Sequence, residues 1–159
     1  MVGAMKKRVL FLCTHNSARS QMAEGLLRHL YGDRYEAFSA GTHPSKVHPY
    51  AVKVMAEIGI DISNQYSKTV SEFSEKPFDY VITVCDRAKA ECPFFPNAKA
   101  QMHWGFPDPS DAVGDEAAGM DVFRATRDAI RDRIVGYFGR EGGPLVQAPR
   151  FSLGLPSSS

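Results

Sequence analysis

Long apolar runs, a charge of one sign and a full complement of cysteines are all missing from this 159-residue chain. No stretch approaches the roughly 20 consecutive apolar residues of a membrane helix, so no bilayer span is expected. Nineteen basic residues stand against 18 acidic ones, a net charge of +1. That balance argues against a broad nucleic-acid or membrane surface and leaves room for a small local anion site. The three cysteines, Cys13, Cys85 and Cys92, are odd in number, which does not suit a secreted disulfide scaffold. A chain of this length builds a core without staples in any case. The compartment to expect is the reducing cytoplasm, where surviving cysteines are buried apolar residues, metal ligands or catalysts. Basic residues and a short apolar run in Met1 to Leu12 are reminiscent of a signal peptide. No small-residue cleavage site follows them, and a buried first strand reads better. Neither an internal repeat nor a second domain is visible. A single domain over residues 5–139 is expected, with 140–159, rich in glycine, proline and terminal serines, as a poorly ordered tail.

What is present alternates between strand and helix. Arg8 to Cys13 forms a short apolar strand, and Met22, Leu26, Leu27 and Leu30 then recur at helical spacing over Ala18 to Tyr31, with Gly32-Asp33 as the stop. Tyr35 to Ala40 reads as a second strand closed by Gly41. Pro49 to Ile58 reads as a helix with Val52, Met55, Ala56 and Ile58 inward, ended by Gly59. A helical turn is expected at Val70 to Ser74 and an interior strand at Phe78 to Val84. Cys85 to Phe95 is a polar segment broken by Pro93 and Pro96, with the look of a mobile one, and Ala98 to Trp104 is a fourth strand. Gly105 to Gly119 reads as a loop. Asp121 caps a last helix reaching Phe138, with Phe123, Ile130 and Ile134 on its inner stripe. The pattern predicts an α/β fold, a four-stranded parallel sheet with helices on both faces. Ligands of such sheets bind beyond the carboxyl ends of the strands, where Cys13, Cys85 and Trp104 fall.

Between the first strand and the first helix lies C-T-H-N-S-A-R-S, Cys13 to Ser20. A loop of this length can curl so that the amides of Thr14, His15, Asn16, Ser17, Ala18 and Arg19 point into one concavity, and the helix N-terminus adds its own donors and partial positive charge. Arg19 can close the cradle with a two-pronged bond to a tetrahedral oxyanion. The same field favours the thiolate of Cys13, aimed at the centre of the bound anion. Ser20 can donate its hydroxyl to that sulfur, and Asn16 tolerates the positive φ a tight curl demands. His15 is expected as a surface residue rather than a base. The plainer alternative is a half-buried cysteine at a strand end beside ordinary helix-start residues. A zinc site using the cysteines with His15 or His103 lacks the short paired-ligand spacings such sites use.

The strand, the CTHNSARS loop and the QMAEG after it resemble the low-molecular-weight protein tyrosine phosphatase superfamily, and most closely its thioredoxin-coupled arsenate reductases. The resemblance runs from about Lys7 to Tyr137 and includes AGT after the second strand, GIDIS at Gly59 to Ser63 and HWGFPDPS at His103 to Ser110. It implies a catalytic set of Cys13, Arg19, Ser20, Cys85, Cys92 and Asp108. Asp108, in an Asp-Pro pair, is the implied proton donor to the departing oxygen; taken alone it could equally organise a turn. Cys85 and Cys92 are implied as a disulfide relay from Cys13, recycled by thioredoxin. The implied partners are arsenate and thioredoxin, with phosphate or sulfate as competing anions; no cofactor, metal, nucleic acid or membrane is called for. Some members bind potassium beside the loop. Three of the matching positions here are Asn16, Glu24 and Ser39, and the fourth carries Lys68 in place of an aspartate, so the Lys68 ammonium is expected to replace the ion and pair with Glu24. The other readings are a phosphatase, disfavoured by Ser110 where many phosphatases of the fold carry tyrosine, and a non-catalytic oxyanion-binding or thiol-sensing domain.

Overall fold

The computed structural model describes residues 6–85, 95–111 and 113–139. Cys92, Pro93 and the tail expected from residue 140 fall outside them. Four strands, β1 (Lys7–Cys13), β2 (Tyr35–Gly41), β3 (Phe78–Thr83) and β4 (Ala98–His103), form one sheet in the order β2-β1-β3-β4. Every pairing is parallel. β1 is central, so both of its faces are covered: Val9 to Leu12 are wholly buried, the near-continuous apolar run a parallel interior strand requires.

The two faces differ. Val9 and Phe11 point into the larger core, built with the α-helices α1 (Arg19–Tyr31), α2 (Pro49–Glu57) and α3 (Glu116–Ile134). Leu10 and Leu12 point the other way, onto Phe73, Phe78, Val81 and Phe95, beside a 3₁₀ turn at Val70–Glu72. Helical structure thus lies against both faces of the four-stranded parallel sheet, with all three described α-helices on one.

Several details differ from the sequence expectation. Asp121 sits inside the last helix, pairing with Arg124 at 2.7 Å; the cap is Asp115, whose side chain accepts from the Ala118 amide at 3.0 Å. Gly119 misled as a loop signal: a Cβ there would lie 3.1 Å from the Tyr50 ring, so the glycine lets α3 approach α2. In α2 the inner face is Ala51, Val54 and Met55, while Ala56 is exposed, because the helix docks rotated by one position. Leu30, on the expected stripe of α1, is 36% exposed in the last turn, where the helix runs past the sheet. Trp104 is buried among Phe11, Tyr137 and Phe138; it belongs to the core and lines no site.

The strand order places one feature of function. From β1 the chain passes to β2 on one side and later returns to β3 on the other. The connections diverge there, and a crevice opens beyond the carboxyl ends of β1 and β3. Cys13 is the last residue of β1, and Cys85 follows β3 by two. Among the described residues no helix is long and apolar enough to cross a membrane.

Candidate active site

The loop after β1 is held from outside. Its carbonyls are taken by the 42–48 segment: the amides of Thr42, His43, Ser45 and His48 donate to the oxygens of Cys13, Thr14, His15 and Ser17 at 3.3, 2.7, 3.1 and 2.9 Å. The Asn16 carbonyl accepts from Gln21 Nε2 at 3.0 Å. The amides of His15, Asn16, Ser17 and Ala18 have no intramolecular acceptor among the described residues. A loop whose carbonyls all face outward presents its amides inward, the arrangement that binds an anion.

Two residues make the curl possible. Asn16, at φ 51°, is the only non-glycine residue with positive φ among those described, as its side-chain chemistry suits. Gly41, at the end of β2, lies directly beneath: a Cβ there would meet Thr14 O at 2.7 Å, the Asn16 nitrogen at 2.8 Å and His15 C at 3.0 Å. Sequence reading marked Gly41 only as a strand terminator; its contact with the loop is tertiary and leaves no local signal.

Hydrogen bonds fix the proton order around Cys13. The Lys68 amide donates to Asn16 Oδ1 at 2.8 Å, which sets the orientation of the Asn16 amide. Asn16 Nδ2 therefore donates to Ser20 Oγ at 2.7 Å. With that oxygen occupied as acceptor, the Ser20 hydroxyl hydrogen is available to Cys13 Sγ, 2.8 Å away. Cys13, Asn16 and Ser20 are all buried, where such a chain is strengthened by the low dielectric.

Arg19 opens α1 and is largely buried. Its Nη1 donates to the Phe106 carbonyl at 2.9 Å, and Nη2 lies 3.3 Å from Asp108 Oδ2. Its Nε is buried with no partner among the described residues, an unspent donor on a residue that lines the cavity. Asp108 Oδ1 accepts from the Ser110 amide at 3.0 Å and the Ser110 hydroxyl at 2.7 Å. Burial raises the Asp108 pKa, but the Ser110 bonds, with the charges of Arg19 and His15, outweigh it and hold the carboxyl below its ordinary value. Asp108 is thus a carboxylate occupying part of the Arg19 fork. It organises the turn through Ser110 and also lines the recess.

Cys13, His15, Ser17, Ala18, Arg19, Ser45, Asp108 and Ser110 line one cavity of about 70 Å³, room for a few waters or one tetrahedral anion. Among the described residues no Phe, Tyr or Trp is in that lining. Cys85 does not line it; buried behind the loop, its Sγ lies 3.3 Å from the hydroxyl of Thr14, also buried. The loop residue next to Cys13 is therefore in contact with the second cysteine. Cys92, the third sulfur of the expected relay, lies outside the described residues.

The four residues of the expected support site do meet. Ser39 Oγ donates to Glu24 Oε1 at 2.5 Å, and Lys68 Nζ lies 3.7 Å from the same oxygen while donating to Tyr66 O at 2.7 Å. Arg28 holds the other oxygen of Glu24 at 2.5 Å. Burial pulls the Lys68 pKa below the usual lysine value, against the opposing pull of Glu24. No group of three or more metal-binding side chains is placed to hold an ion among the described residues; His103 instead shares a 2.8 Å bond with Thr83.

Comparison with known proteins agrees with this geometry. The family of low molecular weight phosphotyrosine protein phosphatases matches residues 8–141. An arsenate reductase of Halalkalibacterium halodurans is 47% identical over 129 residues, 81% of this chain and 93% of that protein. Among solved structures, an arsenate reductase in a phosphate-binding state superposes with a TM-score of 0.73 at 33% identity, over 84% of this chain and 98% of the other. A thioredoxin-dependent arsenate reductase of Corynebacterium glutamicum matches with a TM-score of 0.60 at 28% identity, over 85% of this chain and 63% of that one.

Proposed function

The chain belongs to the low molecular weight phosphotyrosine protein phosphatase family, alongside its arsenate reductases, and from that premise we propose that it reduces arsenate to arsenite with its own cysteines as electron donors. The observation that carries the reading is the meeting of three features at one switch point: a buried Cys13 in an amide cradle, Arg19 with an unspent donor, and Cys85 in contact with the same loop. Residues 5–139 are taken as a single catalytic domain working in the reducing cytoplasm, where such thiols stay reduced.

Cys13 thiolate attacks the arsenic of dihydrogen arsenate; the S–As bond forms, one As–O bond breaks, and the departing oxygen leaves as water with a proton returned by Asp108. Cys85 thiolate then attacks Cys13 Sγ. The S–As electron pair stays on arsenic, reducing it, and three protons from solvent complete arsenous acid. Cys92 attacks Cys85, freeing Cys13 and leaving a Cys85–Cys92 disulfide for thioredoxin. Thr14, against the Cys85 sulfur, is placed to assist the second attack. Phosphate and sulfate, tetrahedral like arsenate, compete for the cradle. Lys68, paired with Glu24, stands in this reading in place of a bound cation.

A coupled assay tests the proposal: purified protein, arsenate, thioredoxin, thioredoxin reductase and NADPH. Arsenate-dependent NADPH oxidation with matching arsenite, suppressed by phosphate, is the expected result. Efficient hydrolysis of aryl phosphates that is indifferent to Cys92→Ser would instead identify a phosphatase. Among the described residues the cavity has Ser110 on its rim and no Phe, Tyr or Trp wall, which favours a bare inorganic anion over an aryl ester.

A further inference from the structure

Ser110 attracts notice only as the residue after the Asp-Pro pair, yet it makes two bonds to the same carboxylate oxygen. Both the amide and the hydroxyl of Ser110 donate to Asp108 Oδ1, at 3.0 and 2.7 Å. Oδ2 is left facing Arg19 Nη2 at 3.3 Å. Both residues line the cavity together with His15 and Cys13. An oxygen that already accepts two N–H or O–H groups is a poor place for a proton, since an added hydrogen would oppose both donors.

We propose that Ser110 is a positioning residue for Asp108: by holding Oδ1 it makes Oδ2 the only oxygen that exchanges a proton with the bound oxyanion, and it keeps Asp108 paired with Arg19 until an anion arrives. The inference rests on the reading of Asp108 as the proton-exchanging carboxyl. On binding, the anion takes over the Arg19 donors and releases Oδ2, which accepts a proton from an arsenate hydroxyl. Oδ2 then returns that proton to the oxygen that departs when the S–As bond forms, so the proton count of the step is unchanged.

The charged or titratable groups that act on Asp108 are Arg19, His15 and, across from α2, His48. The first two lower its proton affinity alongside Ser110. Removing the Ser110 hydroxyl should therefore let Asp108 hold a proton to higher pH and free Oδ1 to exchange roles with Oδ2.

The consequence separates positioning from mere structural support. In Ser110→Ala, kcat for arsenate should fall about three- to tenfold, because the proton-bearing oxygen is no longer fixed, while phosphate affinity at neutral pH holds within about twofold, because Asp108 is still ionised and still shares Arg19. A variant that only loosened the loop would lose both together.

The test uses the full chain. The side-chain carboxyl of Asp108 is followed by carbon NMR as a function of pH, with and without saturating inorganic phosphate, in wild type, Ser110→Ala and Ser110→Thr. The expected result is a titration displaced to higher pH in Ser110→Ala, restored in Ser110→Thr, and displaced upward by phosphate in wild type. Superimposable titrations of wild type and Ser110→Ala would overturn the proposal, as would phosphate affinity and kcat falling in parallel. The titration needs no turnover, so a chain that made no arsenite yet showed the displacement would sink the arsenate reading and leave the positioning role standing.

Discussion

At the scale of single residues, Cys13 depends on buried side chains hydrogen-bonded behind it. Asn16 combines a left-handed backbone with two side-chain bonds, one fixing the Lys68 amide and one orienting Ser20. Asn16→Ala should cost about 1–3 kcal/mol, the usual range for stranding a buried polar group, read as a lower urea midpoint. It should also slow alkylation of Cys13 at neutral pH, since Ser20 loses its fixed orientation. Asp108 gives a prediction of opposite sign for binding and turnover. Its carboxyl is held below the ordinary value and shares Arg19 with the incoming anion. Phosphate affinity should therefore rise as pH falls through the Asp108 titration, and Asp108→Asn should bind phosphate more tightly at neutral pH while losing most arsenate turnover. Calorimetric titration checks the first part and arsenite release the second. Of these residues, Cys13, Arg19, Ser20 and Asn16 were legible in the sequence, because strand, loop and helix are consecutive and their spacing is local. Ser110 carried a weaker signal, a serine two positions after an aspartate, the pattern by which such side chains close turns on their own backbone.

At the scale of elements, the site belongs to the connection between β1 and α1 and to the segments that brace it. The 42–48 strap removes the loop carbonyls from the cavity, and Gly41 lets β2 pass beneath. Gly41→Ala places a methyl within 3.0 Å of loop backbone, so it should cost about 1–3 kcal/mol and abolish phosphate binding even where the fold survives; unfolding curves and phosphate titration separate the two effects. Lys68 supports a second expectation: with its ammonium already beside Glu24, exchanging sodium for potassium should leave turnover unchanged within error, and a large potassium stimulation would contradict it. The strap and the Gly41 contact could not be read from sequence, since each joins residues distant along the chain through backbone atoms alone. The start of α3 was missed for a related reason. Gly119 signals a break locally, but its contact with Tyr50 is what a glycine inside that helix serves.

At the scale of the whole molecule, the sheet was readable because parallel strands buried on both faces leave continuous apolar runs, and β1 and β3 are such runs. The way the helices sit was less readable, as Ala56 shows, because a helix can rotate by one position without disturbing its period. One buried link ties that layer together. Arg127, on α3, donates to the Val54 carbonyl of α2 at 2.8 Å and to Glu57 at 3.0 Å. Arg127→Ala should destabilise the protein by about 1–3 kcal/mol, mostly through the stranded carbonyl and lost packing, since Glu57 is partly exposed and its pairing is screened by solvent. Phosphate affinity should hold, because Arg127 touches no residue of the cavity. The proposed relay draws on the same architecture, in which Cys13 ends one strand and Cys85 follows its neighbour with its sulfur against Thr14. The most direct test is an anaerobic single turnover: fully reduced Cys92→Ser protein is mixed with arsenate without thioredoxin, arsenite is quantified and the disulfide mapped by mass spectrometry. One equivalent of arsenite per chain with a Cys13–Cys85 disulfide is the predicted result; no arsenite and intact thiols, or full arsenite yield after Cys85→Ser, would contradict it.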